Sequence, residues 1–294
     1  MISKSAFITI VGRANVGKSS LLNAIIGEKI AMVSDKPQTT RTKITGVLTK
    51  DEVQYVFMDT PGVHKAKTKL GEHMLQAVKE SVSEIDIVLM IIDVSKKIGE
   101  NEINLVETFK QSKSKVILVL NKIDLIEKDV LAAIINNCSE MYDFEAIIPI
   151  SVLNNDGIDL VMDEVSKHAV EGPHYFPDDT LTDQPEKVLA AEIIREKILM
   201  LLNEEVPHGI AVTIEEMKER ADKDILDISA NIFCEKDSHK GIVIGKNGSM
   251  LKNIGSLARE ELESFFEIKV NLKCWVKVKK DWRNKEGMIK NFGL

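Results

Sequence analysis

The 294-residue sequence has little cysteine: Cys138, Cys234 and Cys274 lie far apart and make no C-x-x-C pair. Three thiols so spaced build neither a disulfide framework nor a cysteine zinc site, and a reducing cytosol is the expected compartment. No apolar run approaches the roughly 20 residues that a helix needs to cross a bilayer. Lys4 leads into the first apolar stretch with no cleavable signal pattern. A cytoplasmic protein is expected, with peripheral contact to a membrane left open. The chain also lacks an overall positive charge. Its net charge of −7 argues against nucleic-acid affinity spread over the whole surface. The basic residues are instead concentrated: Lys236–Lys290 holds 13 basic and 7 acidic side chains, the kind of patch that attracts a phosphate backbone. The length suits about two domains.

What the sequence does contain begins at Gly12-Arg13-Ala14-Asn15-Val16-Gly17-Lys18-Ser19, a match to G-x-x-x-x-G-K-[ST]. It joins a short apolar strand, residues 7–11, to an amphipathic helix, residues 20–26, that stops at Gly27. In that setting glycines let successive N–H groups point inward and the helix N-terminus adds positive potential. Lys18 then reaches the β- and γ-phosphates, and the Ser19 hydroxyl ligates Mg²⁺. A polar loop, residues 30–43, follows, whose threonines can complete the Mg²⁺ shell. Two strands, 44–49 and 53–58, are joined by a tight turn at 50–52 as a hairpin. The second ends in Asp59-Thr60-Pro61-Gly62, a carboxylate and a glycine where an α/β sheet binds its ligand. Asp59 is placed to hold Mg²⁺ through a water, and the Gly62 N–H to sense the γ-phosphate.

An apolar strand, 85–92, ends at Asp93, and a helix covers 100–112. The next strand, 116–120, delivers Asn121-Lys122-Ile123-Asp124. A carboxylate at Asp124 accepts from both N1–H and the 2-amino group of guanine, donors that adenine does not present, so the nucleotide is GTP or GDP and not ATP. Asn121 is expected to contact the base edge and brace the loop, with the Lys122 stem on the purine face. A strand over 146–150 leads to Ser151-Val152, and a helix is expected over 156–170. Strands alternating with helices predict a doubly wound, mostly parallel sheet.

After a break at 171–179 with two prolines and a glycine, a helix pattern runs to about Asn203 and strand patterns occupy 209–214 and 225–234. Gly245-Lys246-Asn247-Gly248 then separates an apolar turn ending at Ile244 from a helix with the stripe Leu251, Ile254, Ala258, Leu262 and Phe265. The last strand alternates Val270, Leu272, Cys274, Val276 and Val278 against Lys273, Trp275, Lys277 and Lys279. Trp275 is expected to pack under the tail 281–294, the burial of an aromatic being the larger energy. His208 and His239 are expected at solvent.

The four nucleotide motifs resemble those of Ras-like P-loop GTPases over roughly the first 170 residues. By that resemblance the nucleotide contacts are Gly12 to Ser19 with Ser20, Asp59 to Gly62 with Val63, Asn121 to Asp124, and Ser151 and Val152. Mg²⁺ falls to Ser19, Thr40 and Asp59, with Thr40 preferred over Thr39 by resemblance alone. Ser151-Val152 stands where these proteins usually read Ser-Ala; a base contact through the Ser151 backbone survives that change. No protein nucleophile is apparent, and catalysis is assigned to positioning and charge stabilisation by Lys18, Asn15 and Gly62. Val63 occupies the place of the water-orienting glutamine, which implies slow intrinsic turnover. Similar GTPases use an asparagine at the place of Asn15 to hold a potassium ion.

The segment around G-x-x-G resembles a KH type II domain, an α+β fold whose loop lies against a nucleic-acid backbone. The RNA contacts so implied are Ile244, Gly245, Lys246, Asn247, Gly248 and Lys252. The whole chain resembles the Era family of bacterial GTPases, with Ala14 where that family often has proline. The division is then a GTPase domain over 1–171, a linker over 172–185, a KH domain over 186–280 and a tail over 281–294. What the resemblance implies is a monomer that binds 16S ribosomal RNA during assembly of the small ribosomal subunit, with loose association with the inner membrane face. The competing expectation is a nucleotide-gated module whose basic end binds lipid headgroups or a protein partner instead.

Overall fold

The computed structural model describes residues 3–34, 36, 39–62, 68–80 and 85–294. These form two compact units, the first running to Asp183 and the second from Gln184 to Leu294 together with residues 68–70.

In the first unit the elements are β1 (Lys4–Gly12), α1 (Lys18–Ile26), β2 (Ile44–Lys50), β3 (Val53–Asp59), α2 (Lys69–Glu80), β4 (Ile87–Asp93), α3 (Glu100–Ser112), β5 (Val116–Asn121), α4 (Lys128–Ser139), β6 (Ala146–Ile150), α5 (Ile158–Ser166) and β7 (Val170–Glu171). The strand order is β2-β3-β1-β4-β5-β6, with β7 paired to the start of β1. Only β2–β3 and β1–β7 are antiparallel. β1, β4 and β5 are apolar on both faces because both faces are covered. Ile8, Ile10, Leu89, Ile91, Ile117 and Val119 pack with Leu21 and Leu22 of α1 and Val161 of α5. Val11, Val88, Met90, Leu118 and Leu120 pack with Leu105 and Phe109 of α3 and Cys138 of α4. The parallel strands bring the ends of β1, β3, β4 and β5 to one edge, where the motifs meet.

The sequence pattern predicts neither α2 nor α4. The helix expected over 156–170 ends at Ser166, and residues 170–171 turn back as β7. Residues 172–183, within the expected linker, are bonded along the first unit. The buried Gln54 accepts at Oε1 from Tyr175 N (2.7 Å) and Phe176 N (3.0 Å) and donates from Nε2 to Phe176 O (2.9 Å). Val47 N donates to Leu181 O at 2.8 Å, and Thr182 Oγ1 donates to Thr45 O at 2.6 Å. A polar side chain inside an apolar strand carries no local sign that a segment over 100 residues later will satisfy it.

The second unit holds α6 (Glu186–Leu201), β8 (Ala211–Glu219), β9 (Ile225–Cys234), α7 (Asp237–Ile244), α8 (Ser249–Phe266), β10 (Lys269–Val278) and α9 (Glu286–Asn291). The sheet order is β10-β9-β8, with β9 and β10 parallel. One face is covered: Ile194 and Ile198 of α6 and Ile254, Ala258 and Leu262 of α8 meet Ile228, Ala230 and Ile232 of β9. This is the α+β arrangement expected.

Three expectations are corrected here. The stretch before Gly245 is the helix α7, not a turn, so the G-x-x-G loop links two helices. Trp275 does not pack under the tail; it is 58% exposed, and Trp282 of the tail itself is fully buried, its Nε1–H donating to Gly209 O at 2.9 Å. A side chain on the uncovered face of an edge strand finds no helix to bury it, whereas Trp282 enters the end of the core. His208 and His239 are half-buried, not at solvent.

Candidate nucleotide site and nucleic-acid interface

The loop between β1 and α1 closes against the end of β5. Gly17 has φ 104°, and a Cβ there would stand 2.2 Å from Asn121 Nδ2, so only glycine lets the two segments meet. Asn15 is also left-handed, at φ 64°. Lys18 is buried and donates from Nζ to Arg13 O at 2.9 Å. Ser19 Oγ donates to Asp59 Oδ2 at 2.5 Å and lies 2.9 Å from Thr40 Oγ1. Thr39 Oγ1 turns away and donates to Lys36 O. Gly62 abuts the Ala14 backbone, and a cleft opens over Asn15, Lys18, Ser19, Ser20, Thr40 and Gly62. Thr60 and Pro61 are buried beneath it, with Thr60 Oγ1 donating to Ile10 O at 2.8 Å. Val63 lies outside the described residues.

Burial dominates the electrostatics of this cluster. It lowers the Lys18 ammonium against the opposing charge of Asp59. It also raises the Asp59 carboxyl against Lys18 and the hydrogen bonds of Ser19, Thr40 and Thr60. Two charges taken out of water in this way are held ready for charged ligands rather than for stability. Asp59 is fully buried, and its Oδ1 has no hydrogen-bond partner among the described residues. Two hydroxyls and a carboxylate with a spare oxygen form a hard-oxygen set that fits Mg²⁺. Among the described residues no group of three or more His, Cys, Asp or Glu side chains is placed to hold a metal, so the fit rests on this mixed set.

A second cluster forms where β5 ends. Asn121 Nδ2 donates to Val16 O at 2.8 Å, and its Oδ1 accepts from Lys122 N (2.8 Å) and Val152 N (3.1 Å). One amide thus ties three motifs together. Ile123 and Asp124 lie in a 3₁₀ turn, and the exposed Asp124 carboxylate accepts from Ser151 Oγ at 2.5 Å. The Ser151 backbone, through which a base contact is expected, pairs with Asp156 in an isolated bridge, Ser151 N donating to Asp156 O at 3.0 Å. The Ser151 hydroxyl in addition orients Asp124.

Two residues given no role by the sequence reading take part. Lys122 Nζ donates to Asp93 Oδ2 at 2.7 Å and to Asn15 O at 3.0 Å, so Asp93 aims the ammonium that clips the base segment to the phosphate loop. Burial pushes the Asp93 carboxyl up, but the bonds from Lys122 and Ser95 outweigh it and hold the group below its ordinary 3.8. The buried Glu102 accepts from Gly99 N at 2.9 Å and pairs with Arg13 Nη1 at 3.3 Å, anchoring the loop to the start of α3. The signals for both were a carboxylate at a strand's C-terminal end and a glycine followed three residues on by glutamate. Asp93→Asn is expected to weaken GTP and GDP binding alike, by about 10-fold for one charged hydrogen bond. Titration of both nucleotides checks this; a loss confined to GTP would give Asp93 a different role.

In the second unit Gly245, at φ 73°, ends α7, and a Cβ there would stand 2.7 Å from Met250 Cβ. Lys246, Asn247 and Lys252 are exposed, with Ile244 and Gly248 half-buried. A groove runs from Gly248 along Leu251, Lys252 and Arg259 of α8 and Leu272 and Cys274 of β10. Its apolar floor and basic rim suit a nucleic-acid strand.

Comparison with known proteins bears on both sites. The family profile described as "50S ribosome-binding GTPase" matches residues 7–122, and the profile described as "KH domain" matches residues 205–283. GTPase Era of Ruminiclostridium cellulolyticum is 53% identical over 293 residues, covering 100% of this chain and 98% of that protein. The chain belongs to the Era family of GTPases. GTPase Era of Clostridioides difficile is likewise 53% identical, over 99% of this chain and 98% of its own length. The crystal structure of a point variant of Aquifex aeolicus Era bound to GDP·AlF₄⁻ superposes with a TM-score of 0.95 at 38% identity, covering 99% of each chain. A structure of Era in complex with MgGDPNP and nucleotides 1506–1542 of 16S ribosomal RNA gives 0.94 at 39%, again over 99% of each. The P-loop GTPase and KH folds of the family are those described above. No described helix is long and apolar enough to cross a membrane.

Proposed function

We propose that this Era-family GTPase binds GTP with Mg²⁺, hydrolyses it to GDP and phosphate, and uses nucleotide state to control binding of 16S ribosomal RNA during small-subunit assembly. The observation that carries the first half is the joining of Lys18, Ser19, Thr40 and Asp59 into one buried cluster under the cleft. The second half is supported by the exposed Lys246 and Asn247 beside the groove, and by the complex of the 39% identical Era with 16S rRNA nucleotides. We place the GTPase domain at 1–171, a linker at 172–185, the KH domain at 186–280 and the tail at 281–294. We take the protein to act as a cytoplasmic monomer, with peripheral contact to the inner membrane face.

Ser19, Thr40 and Asp59, the last through a water, would hold Mg²⁺. The ion supplies charge neutralisation at the β- and γ-phosphate oxygens. Lys18, kept in place by Arg13 O and desolvated, adds a fixed positive charge on the same phosphates without reorganising at the moment of reaction. Gly62, against Ala14 at the edge of the cleft, would sense the γ-phosphate through its N–H. Asp124, steadied by Ser151, selects guanine. Thr40 would tie the loop that carries it to Mg²⁺ and the γ-phosphate, a contact that hydrolysis releases.

Asn15 completes the set as a potassium ligand beside the phosphates. Hydrolysis is then faster in potassium than in sodium at equal ionic strength, by about 10-fold or more if the ion stands in for an arginine finger. Equal rates would sink the assignment and leave Asn15 as a shaper of the loop.

RNA binding is tested by Lys246→Asp with Asn247→Asp in the full chain. The pair should lose rRNA-fragment binding and keep GTP turnover. Loss of binding to anionic vesicles with RNA binding intact would assign the basic end to a membrane instead.

A further inference from the structure

The groove does not account for the most exposed aromatic of the second unit. β10 is an edge strand, and Lys273, Trp275 and Lys277 point away from the face that α6 and α8 cover. Trp275 is 58% exposed and has no aromatic neighbour among the described residues, although burying such a ring is worth roughly 2–3 kcal/mol. Beside it across the sheet is Asn231, whose Nδ2 donates to Glu215 at 3.0 Å. Asn231 is 6% exposed, and its Oδ1 has no partner among the described residues.

The tail roofs the same face one step further along. Phe292 lies 4.8 Å from Phe233, the register partner of Lys277, while Trp275 stays bare. Along β10 itself the charge on either side of the ring is of one sign. Lys273 and Lys277 flank it at the spacing of alternate strand residues, about 6.6 Å. Of the carboxylates on this face, Asp227 is held by Arg220 and Asn271, Glu215 by Asn231, and Glu216 lies on β8, two strands away.

We propose that the outer face of β10 is a second contact for single-stranded RNA, distinct from the G-x-x-G groove. One base stacks on Trp275, and the phosphates on either side meet Lys273 and Lys277. The two contacts share β10: its Leu272 and Cys274 line the groove and its Trp275 faces the other way. A strand leaving the groove therefore reaches the ring by crossing an open sheet edge. The proposal rests on the assignment of RNA to the groove.

The test uses the full chain with two oligonucleotides, one of about four residues, the length a G-x-x-G loop clamps, and one of roughly twelve, within the range of extended single-strand sites. Trp275→Ala should weaken the longer RNA by about 10-fold and leave the shorter unchanged. Trp275→Phe should restore part of the loss, and the longer RNA alone should quench Trp275 emission. Because Trp275 is exposed, the variants should melt as the parent does. Unchanged binding of the longer RNA by Trp275→Ala would overturn the second contact. So would a loss seen only on phosphatidylglycerol vesicles, which would give the ring to a membrane. Full RNA binding by the Lys246→Asp, Asn247→Asp variant would instead refute the groove assignment, a separable failure.

Discussion

Asp124→Asn is expected to lower GTP affinity by about 100-fold or more while leaving the fold intact. The carboxylate presents two acceptors to two guanine donors, N1–H and the 2-amino group, and Ser151 Oγ fixes its orientation from 2.5 Å. The amide keeps one acceptor and sets an N–H against an N–H, so one charge-assisted bond is lost, the other weakened and a repulsion added. Xanthine carries a carbonyl where guanine carries the amino group. XTP should therefore bind the variant better than GTP does, and ATP should bind neither protein well. Asp124 is exposed, so little stability is at stake. Equilibrium competition among GTP, XTP and ATP decides it; unchanged GTP affinity would show that Asp124 does not read the base.

Trp282→Ala is expected to cost about 3–5 kcal/mol in the second unit, the range for removing a fully buried aromatic. The indole is 0% exposed, meets Phe292 at 5.1 Å between ring centroids and satisfies Gly209 O. Truncation leaves a cavity and a carbonyl without its donor. Trp282→Phe keeps most of the volume and should cost clearly less. Only two tryptophans are present, so in a Trp275→Phe background emission reports Trp282 alone. Urea unfolding followed at that signal, with the first unit's transition tracked by far-UV dichroism, measures the parent; dichroism measures the alanine variant. A cost near zero would mean that the tail is an appendage and not part of the core.

The two tryptophans show where sequence reasoning stops. Alternation along 270–278 places Trp275 on the face opposite Val270, Leu272 and Cys274, and the structure has it there. Whether anything covers that face depends on the path of the tail, and no periodicity in a polar, 14-residue segment states that path. The same holds for α7, an eight-residue helix with a polar first half, a glycine at its middle and no long apolar stripe. Asp93 and Glu102 are of the same kind: their partners, Lys122 and Arg13, lie 29 and 89 residues away, and no local pattern links them.

By itself the sequence determined the class of the chain and its chemistry. Gly12–Ser19, Asp59–Gly62, Asn121–Asp124 and Gly245–Gly248 act through backbone freedom and side-chain chemistry, which are local properties and are written in order. Only the tertiary structure decided what braces them. Asn121 spans three motifs, Asp93 and Glu102 tie the phosphate loop to neighbouring elements, Gln54 binds the segment expected as a linker, and Trp282 rather than Trp275 fills the core. Each of these is a long-range pairing, and a pairing is set by where the strands place two distant residues, not by either residue's own neighbourhood.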